Sequence, residues 1–480
     1  MAEKTRDFVY LTSCILVNLH FPEKIATFAP NFILILDSRT KYDLKTAMNL
    51  SKKILFAVAM SASITATYAQ SGTNSPYSQF GLGVLSDQTS GFNRGMNGLG
   101  LAFREGNQVN FINPASYSSM DSLTFIFDGG VSGQITNFKD GGRKINANNA
   151  DFEYAVAGFR AFKHVGVSFG IIPFTNVGYN YSQQGFLNGD RSFTYVNTYS
   201  GSGGLHQVYL GAGWEFVKGL SAGVNVSYVW GDIERSVVNS YSDAYANTLS
   251  KYYNVSVANY KLDFGLQYML QLNKKNALSV GLTYGLGHNL KADPQCLVIS
   301  TNPSTAVADT ATFSIRDGIE IPMSLGAGLM WDYAGKLKLG TDFAYQKWGS
   351  LKYPVYNVVN NVPSYDLTDD YYSDRYKVTF GGEFCNNKLS RKFFDRIRFR
   401  AGVSYATPYY KVNGVDGPSE ISVSAGFGIP IVNNYNNRSI LNISGQWVHS
   451  SAKGLLTENT FRINIGLTFN ERWFMKWKVD

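Results

Sequence analysis

The stretch Thr460-Phe461-Arg462-Ile463-Asn464-Ile465-Gly466-Leu467-Thr468-Phe469 alternates without a fault. Successive side chains of a β-strand point to opposite faces. Phe461, Ile463, Ile465, Leu467 and Phe469 therefore make one greasy face, and Thr460, Arg462, Asn464, Gly466 and Thr468 make a wet one. Working outward from this stretch, the same dyad returns in Val208, Leu210, Ala212, Trp214 and Phe216. It returns again in Ala222, Val224, Val226, Tyr228 and Trp230, and in Leu262, Phe264, Leu266, Tyr268 and Leu270. Fourteen alternating runs follow one another: 122–138, 151–162, 164–182, 204–216, 220–235, 252–271, 276–290, 313–332, 337–348, 373–384, 397–407, 420–430, 439–449 and 459–470.

Two-faced strands repeated an even number of times predict an all-β fold. The expectation is a 14-stranded antiparallel transmembrane β-barrel, apolar toward lipid and polar toward the lumen. A soluble β-sandwich also alternates, but its apolar face meets a second sheet, and it needs neither fourteen strands nor aromatic residues at their ends. Tyr228, Trp230 and Trp331 fall near the ends of runs, where aromatic girdles meet lipid headgroups. Lys163 alone parts the second and third runs, and 217–219, 273–276 and 333–336 are equally tight. Between them lie polar stretches at 183–203, 236–251, 291–312 and 349–372, read as long loops. Short and long connections in alternation predict tight periplasmic turns and long outer loops. Pro173, Pro322 and Pro430 cost a ladder bond each and mark bulges, kinks or rims.

The chain before residue 121 has another character. Residues 71–120 show little periodicity and are punctuated by Gly81, Gly83, Gly91, Gly95, Gly98 and Gly100, so a compact irregular segment precedes the 121–480 barrel. Met48 opens an export signal over 48–70. Lys52 and Lys53 are followed by an apolar run at 54–62, with Ala66 and Ala69 near a cleavage point before Gln70 or Ser71. Residues 1–47 then read as a leader from a mis-called start. The 480 residues carry 43 Lys/Arg and 35 Asp/Glu, a net +8. Residues 1–70 hold 8 and 5 of these, leaving 35 and 30, or +5, with no basic run of the kind that binds nucleic acid. The body of the chain has no apolar run of about 18 residues, which sets aside a helical membrane protein.

No catalytic constellation emerges. His164, His206, His288 and His449 are not at metal spacing, and Cys14, Cys296 and Cys385 form no Cys-x-x-Cys, so neither metal nor cofactor is expected. Cys296 and Cys385 are expected to be free. His449-Ser450 is the one pair that a barrel phospholipase reading rests on, and a polar pair at a strand end accounts for it. Gly211/Gly213, Gly326/Gly328 and Gly426/Gly428 complete no nucleotide fingerprint and read as small residues permitting a tight lumen. The chain is accordingly expected not to be an enzyme. The wet faces also carry Glu215, Asp263, Lys338, Asp342, Lys377, Glu383, Arg398, Arg400 and Arg462. A basic side chain facing lipid at midplane costs about 2–4 kcal/mol. These charges are therefore expected in the lumen as a polar network, a latch for the N-terminal segment or a permeation path.

Arg94-Gly95-Met96-Asn97-Gly98-Leu99-Gly100-Leu101-Ala102, followed by Asn113-Pro114-Ala115, resembles the start of the FadL/TodX-like outer-membrane transporters of long-chain fatty acids and other hydrophobic compounds. Asn97 stands where a Gly is common in that family. Ile319-Glu320-Ile321-Pro322, Gly340-Thr341-Asp342-Phe343-Ala344-Tyr345 and Arg400-Ala401-Gly402-Val403-Ser404-Tyr405 extend the likeness over 91–470. The resemblance implies that residues 71–120 form a hatch plugging the lumen, with Asn113, Pro114 and Ala115 at its heart. It implies an outer-membrane channel for passive uptake of small hydrophobic molecules such as long-chain fatty acids, with membrane lipid and an apolar ligand as partners. The alternative is a barrel scaffold or shuttle partnering a secretion or surface-attachment machinery, for which the Tyr- and Asp-rich 365–376 would offer a protein surface.

Overall fold

The computed structural model describes residues 72–187, 190–360, 362–431 and 439–472. The expected leader (1–47), the export signal (48–70) and Cys14 lie outside the described residues. The barrel strands are β1 (Thr124–Asp140), β2 (Arg143–Phe162), β3 (Val165–Pro173, resuming as Thr175–Leu187), β4 (Asp190–Val217), β5 (Leu220–Tyr241), β6 (Thr248–Gln271) and β7 (Asn276–Gly285). The series continues with β8 (Ser324–Tyr333), β9 (Leu337–Gln346), β10 (Arg375–Phe384), β11 (Arg398–Ala406), β12 (Ser419–Ile431), β13 (Ser439–Ser451) and β14 (Thr457–Arg472). Each pairs antiparallel with the next. The ring closes where β14 meets β1, from Thr124 opposite Arg472 to Lys139 opposite Thr457. The result is the closed 14-stranded barrel that the alternation predicts. Closure leaves no open edge, which is what hydrocarbon demands of a sheet.

The faces fall as the dyad requires. Phe461, Ile463 and Ile465 are 50%, 47% and 46% exposed on the outer wall, while Asn464 is 2% exposed inside. Trp214, Tyr268, Trp331, Phe384 and Phe399 ring the wall at the end with short turns, and Tyr228, Tyr260, Tyr284, Tyr376 and Tyr405 ring the other. On β5 the apolar band runs over about eleven residues, 220–230, the length a tilted strand needs to cross hydrocarbon. Tyr228 and Trp230 thus mark the end of the band and not of the strand, which runs on to Tyr241.

Two of the expected loops are strands. Residues 183–187, 190–203, 236–241 and 248–251 continue the ladder: Tyr195 pairs with Tyr241 and Asn197 with Asn239, and β5 and β6 stay in register to Asn239 opposite Leu249. Beyond the lipid band both faces are wet, so the apolar dyad fades while backbone pairing persists. Polar residues there concealed a sheet that projects past the barrel rim. The other two regions contain small hairpins: Gln295–Thr301 with Ala308–Ser314, which extends the projecting end of β6, and Tyr353–Val359 with Val362–Thr368. The eighth run begins later than expected, at Ser324 after Pro322. Pro173 ends the first part of β3, and Pro430 sits at the last turn-end of β12.

The outer wall makes a direct prediction. Ile463→Arg, at the middle of the apolar band of β14, should lower the unfolding free energy in lipid vesicles by about 2–4 kcal/mol, read by urea titration.

Candidate functional site

The inner wall is built for close approach. The carbonyl of Pro114 lies where a Cβ on Gly213 or Gly223 would stand, the Tyr117 carbonyl where one on Gly166 would stand, and the Leu101 carbonyl against Gly281. Met96 lies against Gly402 and Gly91 against Gly466. These glycines sit on β3, β4, β5, β7, β11 and β14, so the segment from Gly91 to Tyr117 is in contact with the wall on many sides of the lumen. The Gly211/Gly213 and Gly326/Gly328 pairs do serve a tight lumen: Gly211 meets Tyr117, and Gly326 and Gly328 meet Leu101.

Asn113, Pro114 and Ala115 lie within this packing. Asn113 caps the short 3-10 helix Pro114–Ser119, its Oδ1 accepting from the Ala115 N–H at 3.1 Å, with Pro114 at the first helical position where no N–H is missed. Its Nδ2 donates to the Leu101 carbonyl at 2.8 Å and approaches those of Leu266 and Leu282 in the wall. Asn97 is explained too. Its φ of 57° is left-handed, a region that glycine and asparagine tolerate best. Its amide is bonded to Ser404, Ser422 and Gln446 of the wall.

Seven of the nine charged lumen candidates meet the segment, Lys338 and Lys377 through Glu105 and Asp87. Asp342 accepts from the Gly100 and Leu101 N–H groups at 2.7 and 2.9 Å. Glu215 faces Arg104 at 3.6 Å, and Arg462 faces Asp87 at 3.2 Å. Arg398 lies 3.7 Å from Glu105 and 3.5 Å from Glu383, and Arg400 pairs with Glu383 at 2.8 Å and reaches Gln108 at 3.5 Å. Asp263 instead pairs with Lys261 on its own strand. Sequence reasoning missed the segment's own charges: Arg94 pairs with Glu153 at 2.7 Å, and Glu105 serves Lys338 and Lys388. Nothing in local spacing points to these pairs, because each joins residues far apart in the chain. Burial alone would push Asp87 and Glu105 toward the neutral form. Lys377, Arg462 and Arg94 around Asp87 outweigh it, as do Lys338, Arg398 and Lys388 around Glu105, and both carboxyls are held well below the usual carboxylate range.

Above the polar layer, toward the loop end, the lumen turns apolar. Tyr77, Leu82, Val177, Leu205, Val229, Ile233, Trp348 and Tyr409 belong to one buried cluster. Beside it lies a cavity of about 210 Å³. Gln79, Gly81 and Leu82 contribute from the segment, Tyr179 and Ile233 from the wall, and Tyr353, Tyr365 and Tyr371 from the hairpin region. Three of the tyrosines expected to form an external protein surface are turned the other way: Tyr365 is 8% and Tyr372 5% exposed, and Tyr371 stacks on Tyr353 at 3.9 Å, while Tyr376 stays on the outer wall. Apolar packing draws these three inward, leaving Asp369 and Asp370 outside.

Arg235 also lines this cavity. Its guanidinium donates to the Tyr353 hydroxyl and, at 2.7 Å, to the Gly81 carbonyl, while its Nε is buried without a partner. Both of these partners, a hydroxyl and a carbonyl, are uncharged. His449 bonds to Asn459 at 2.8 Å and stacks on Trp447, as a strand-end polar pair does. Cys296 and Cys385 are free and buried.

Two outcomes follow from this packing. Gly213→Leu places a side chain where the Pro114 carbonyl sits, so it should unseat residues 72–121 at a cost of about 1–3 kcal/mol, seen as faster proteolysis of that segment within an intact barrel. The carboxyls of Asp87 and Glu105 are depressed, so their contribution is complete above about pH 4 and is lost as pH falls further, through their folded-state values. Hydrogen-exchange protection of the segment should decline below about pH 4, and Asp87→Asn should remove part of that decline.

Solved structures with this architecture carry the comparison further. The Pseudomonas putida toluene transporter TodX matches with a TM-score of 0.54 at 14% identity, over 80% of this chain and 98% of that one. The Ralstonia pickettii toluene transporter TbuX gives 0.52 at 15%, over 80% and 98%, and a Pseudomonas aeruginosa FadL homologue gives 0.53 at 10%, over 80% and 98%. The expected likeness to FadL/TodX-like channels therefore holds as a likeness of fold. No curated protein matches the sequence. The sequence pattern of the BamG family matches residues 50–480, taking in both the barrel and the segment inside it, and the chain belongs to that family.

Proposed function

We propose that this protein is an outer-membrane channel that binds small hydrophobic molecules in the aromatic cavity at its loop end and admits them past residues 71–120, which act as a hatch. The short-turn end then faces the periplasm. The observation that carries this reading is a cavity walled by tyrosines, bordered by the hatch itself, with a half-buried guanidinium on its lining whose Nε has no partner. Proteins of similar fold include two toluene transporters and a FadL homologue, which favours an apolar ligand here.

Size and charge narrow the class. An apolar cavity of about 150 Å³ suffices for benzene. At about 210 Å³ the cavity suits a single ring, or the head and first carbons of a fatty acid, and is small for an entire long chain. Even partial burial of a guanidinium without an anion is costly, so a ligand bearing a carboxylate relieves that cost while its apolar body fills the tyrosine wall. Because Arg235 also holds the Gly81 carbonyl, an anion that draws the guanidinium away loosens the first part of the hatch.

The test is uptake into liposomes carrying folded protein, with labelled benzoate, toluene and a fatty acid. Faster entry of at least one supports the channel, and no acceleration of any of the three sinks it. Arg235→Met should weaken binding of the two acids about 10- to 100-fold, as loss of a charged hydrogen bond worth about 1.5–3 kcal/mol requires, and leave toluene unchanged.

A further inference from the structure

The connection between β10 and β11, residues 385–397, is the longest of the described turns at its end of the barrel. It has a built interior. The Asp395 carboxylate accepts from the Asn386 side-chain amide at 3.0 Å and from the Ser390 hydroxyl at 2.9 Å, and its backbone carbonyl accepts from the Asn387 N–H at 2.9 Å. A short helix, Phe393–Arg396, follows. Around this frame the loop holds apolar residues in the open: Leu389 is 84%, Phe394 78% and Phe393 45% exposed. Arg391 and Lys392 are exposed beside them, and Lys388 reaches Glu105 of the hatch at 2.9 Å. The loop's one acid, Asp395, is taken up by the frame.

We propose that this loop is a membrane-surface anchor. It sets Leu389, Phe393 and Phe394 into the adjoining leaflet and offers Arg391 and Lys392 to the phosphates of anionic phospholipid. Exposed apolar residues next to basic ones are the composition of an interfacial segment. The loop is continuous with the lipid-facing wall: Phe384 and Phe399, the outward residues that flank it, pair across β10 and β11 in the turn-end girdle. The inference rests on the barrel spanning a membrane with its turn end at the periplasmic leaflet.

The experiment places a nitroxide on Phe394→Cys, and separately on Phe399→Cys, in full chain with Cys14→Ser. Cys296 and Cys385 are buried and free, so the introduced thiol takes the label. The protein is placed in vesicles of phosphatidylethanolamine with phosphatidylglycerol, and collisions with oxygen and with a water-soluble nickel chelate are compared. Both labels should favour oxygen. Adding Arg391→Gln with Lys392→Gln, or replacing phosphatidylglycerol by phosphatidylcholine, should raise nickel accessibility at 394 several-fold and leave 399 unchanged. A label at 394 that is water-exposed in every lipid while 399 remains in hydrocarbon overturns the anchor and leaves the face to a protein. Nickel access at 399 as well overturns the membrane-spanning reading beneath it.

Discussion

A barrel that shows lipid an apolar wall must turn its charged side chains inward, and in a narrow lumen those charges have little water to answer them. That constraint organises the molecule. Breaking a buried ion pair by removing one partner costs about 3–5 kcal/mol, so each inward charge needs a counterpart held in place. The counterparts come largely from the chain ahead of the first strand. Glu105 meets Lys338, Lys388 and Arg398, Asp87 meets Arg462 and Lys377, and Arg94 meets Glu153. Wall and filling are therefore one electrostatic system, and neither is satisfied without the other.

The lumen is stratified as a consequence. Level with the lipid band it is polar and packed, glycine against backbone. Beyond the band the inward positions of the same strands become apolar, as Val229 and Ile233 on β5 and Val257 on β6 illustrate. Outside, lipid gives way to water at this height, so the strands exchange the sides on which they can carry hydrophobic residues. The exchange creates an oily chamber above a charged floor.

Much of this was legible in the sequence, and the reason is local. The alternation at 460–469 and its repeats follow from one strand meeting lipid on one side, so the strand number and the facing of Asp342, Arg398, Arg400 and Arg462 could be read residue by residue. Asn113-Pro114 announces a capped turn by its own chemistry. The projecting halves of β4 and β5 were hidden because water on both faces erases the dyad. The aromatic cavity was hidden because its walls come from 79–82, 179, 233–235 and 353–371, which no spacing joins. The tyrosines near 365–376 looked external for a related cause: composition reports that a stretch is amphipathic and leaves open which way it folds.

The seam between the first strand and the last has a kinetic side. Thr124 meets Arg472 across nearly the whole barrel chain, and contacts so distant in sequence form slowly. Until that meeting, the curling sheet has two bare edges and a hydrophobic exterior, the condition under which strands join their neighbours in other molecules. The time spent open is thus a hazard written into the topology, and it lasts until the two ends find one another.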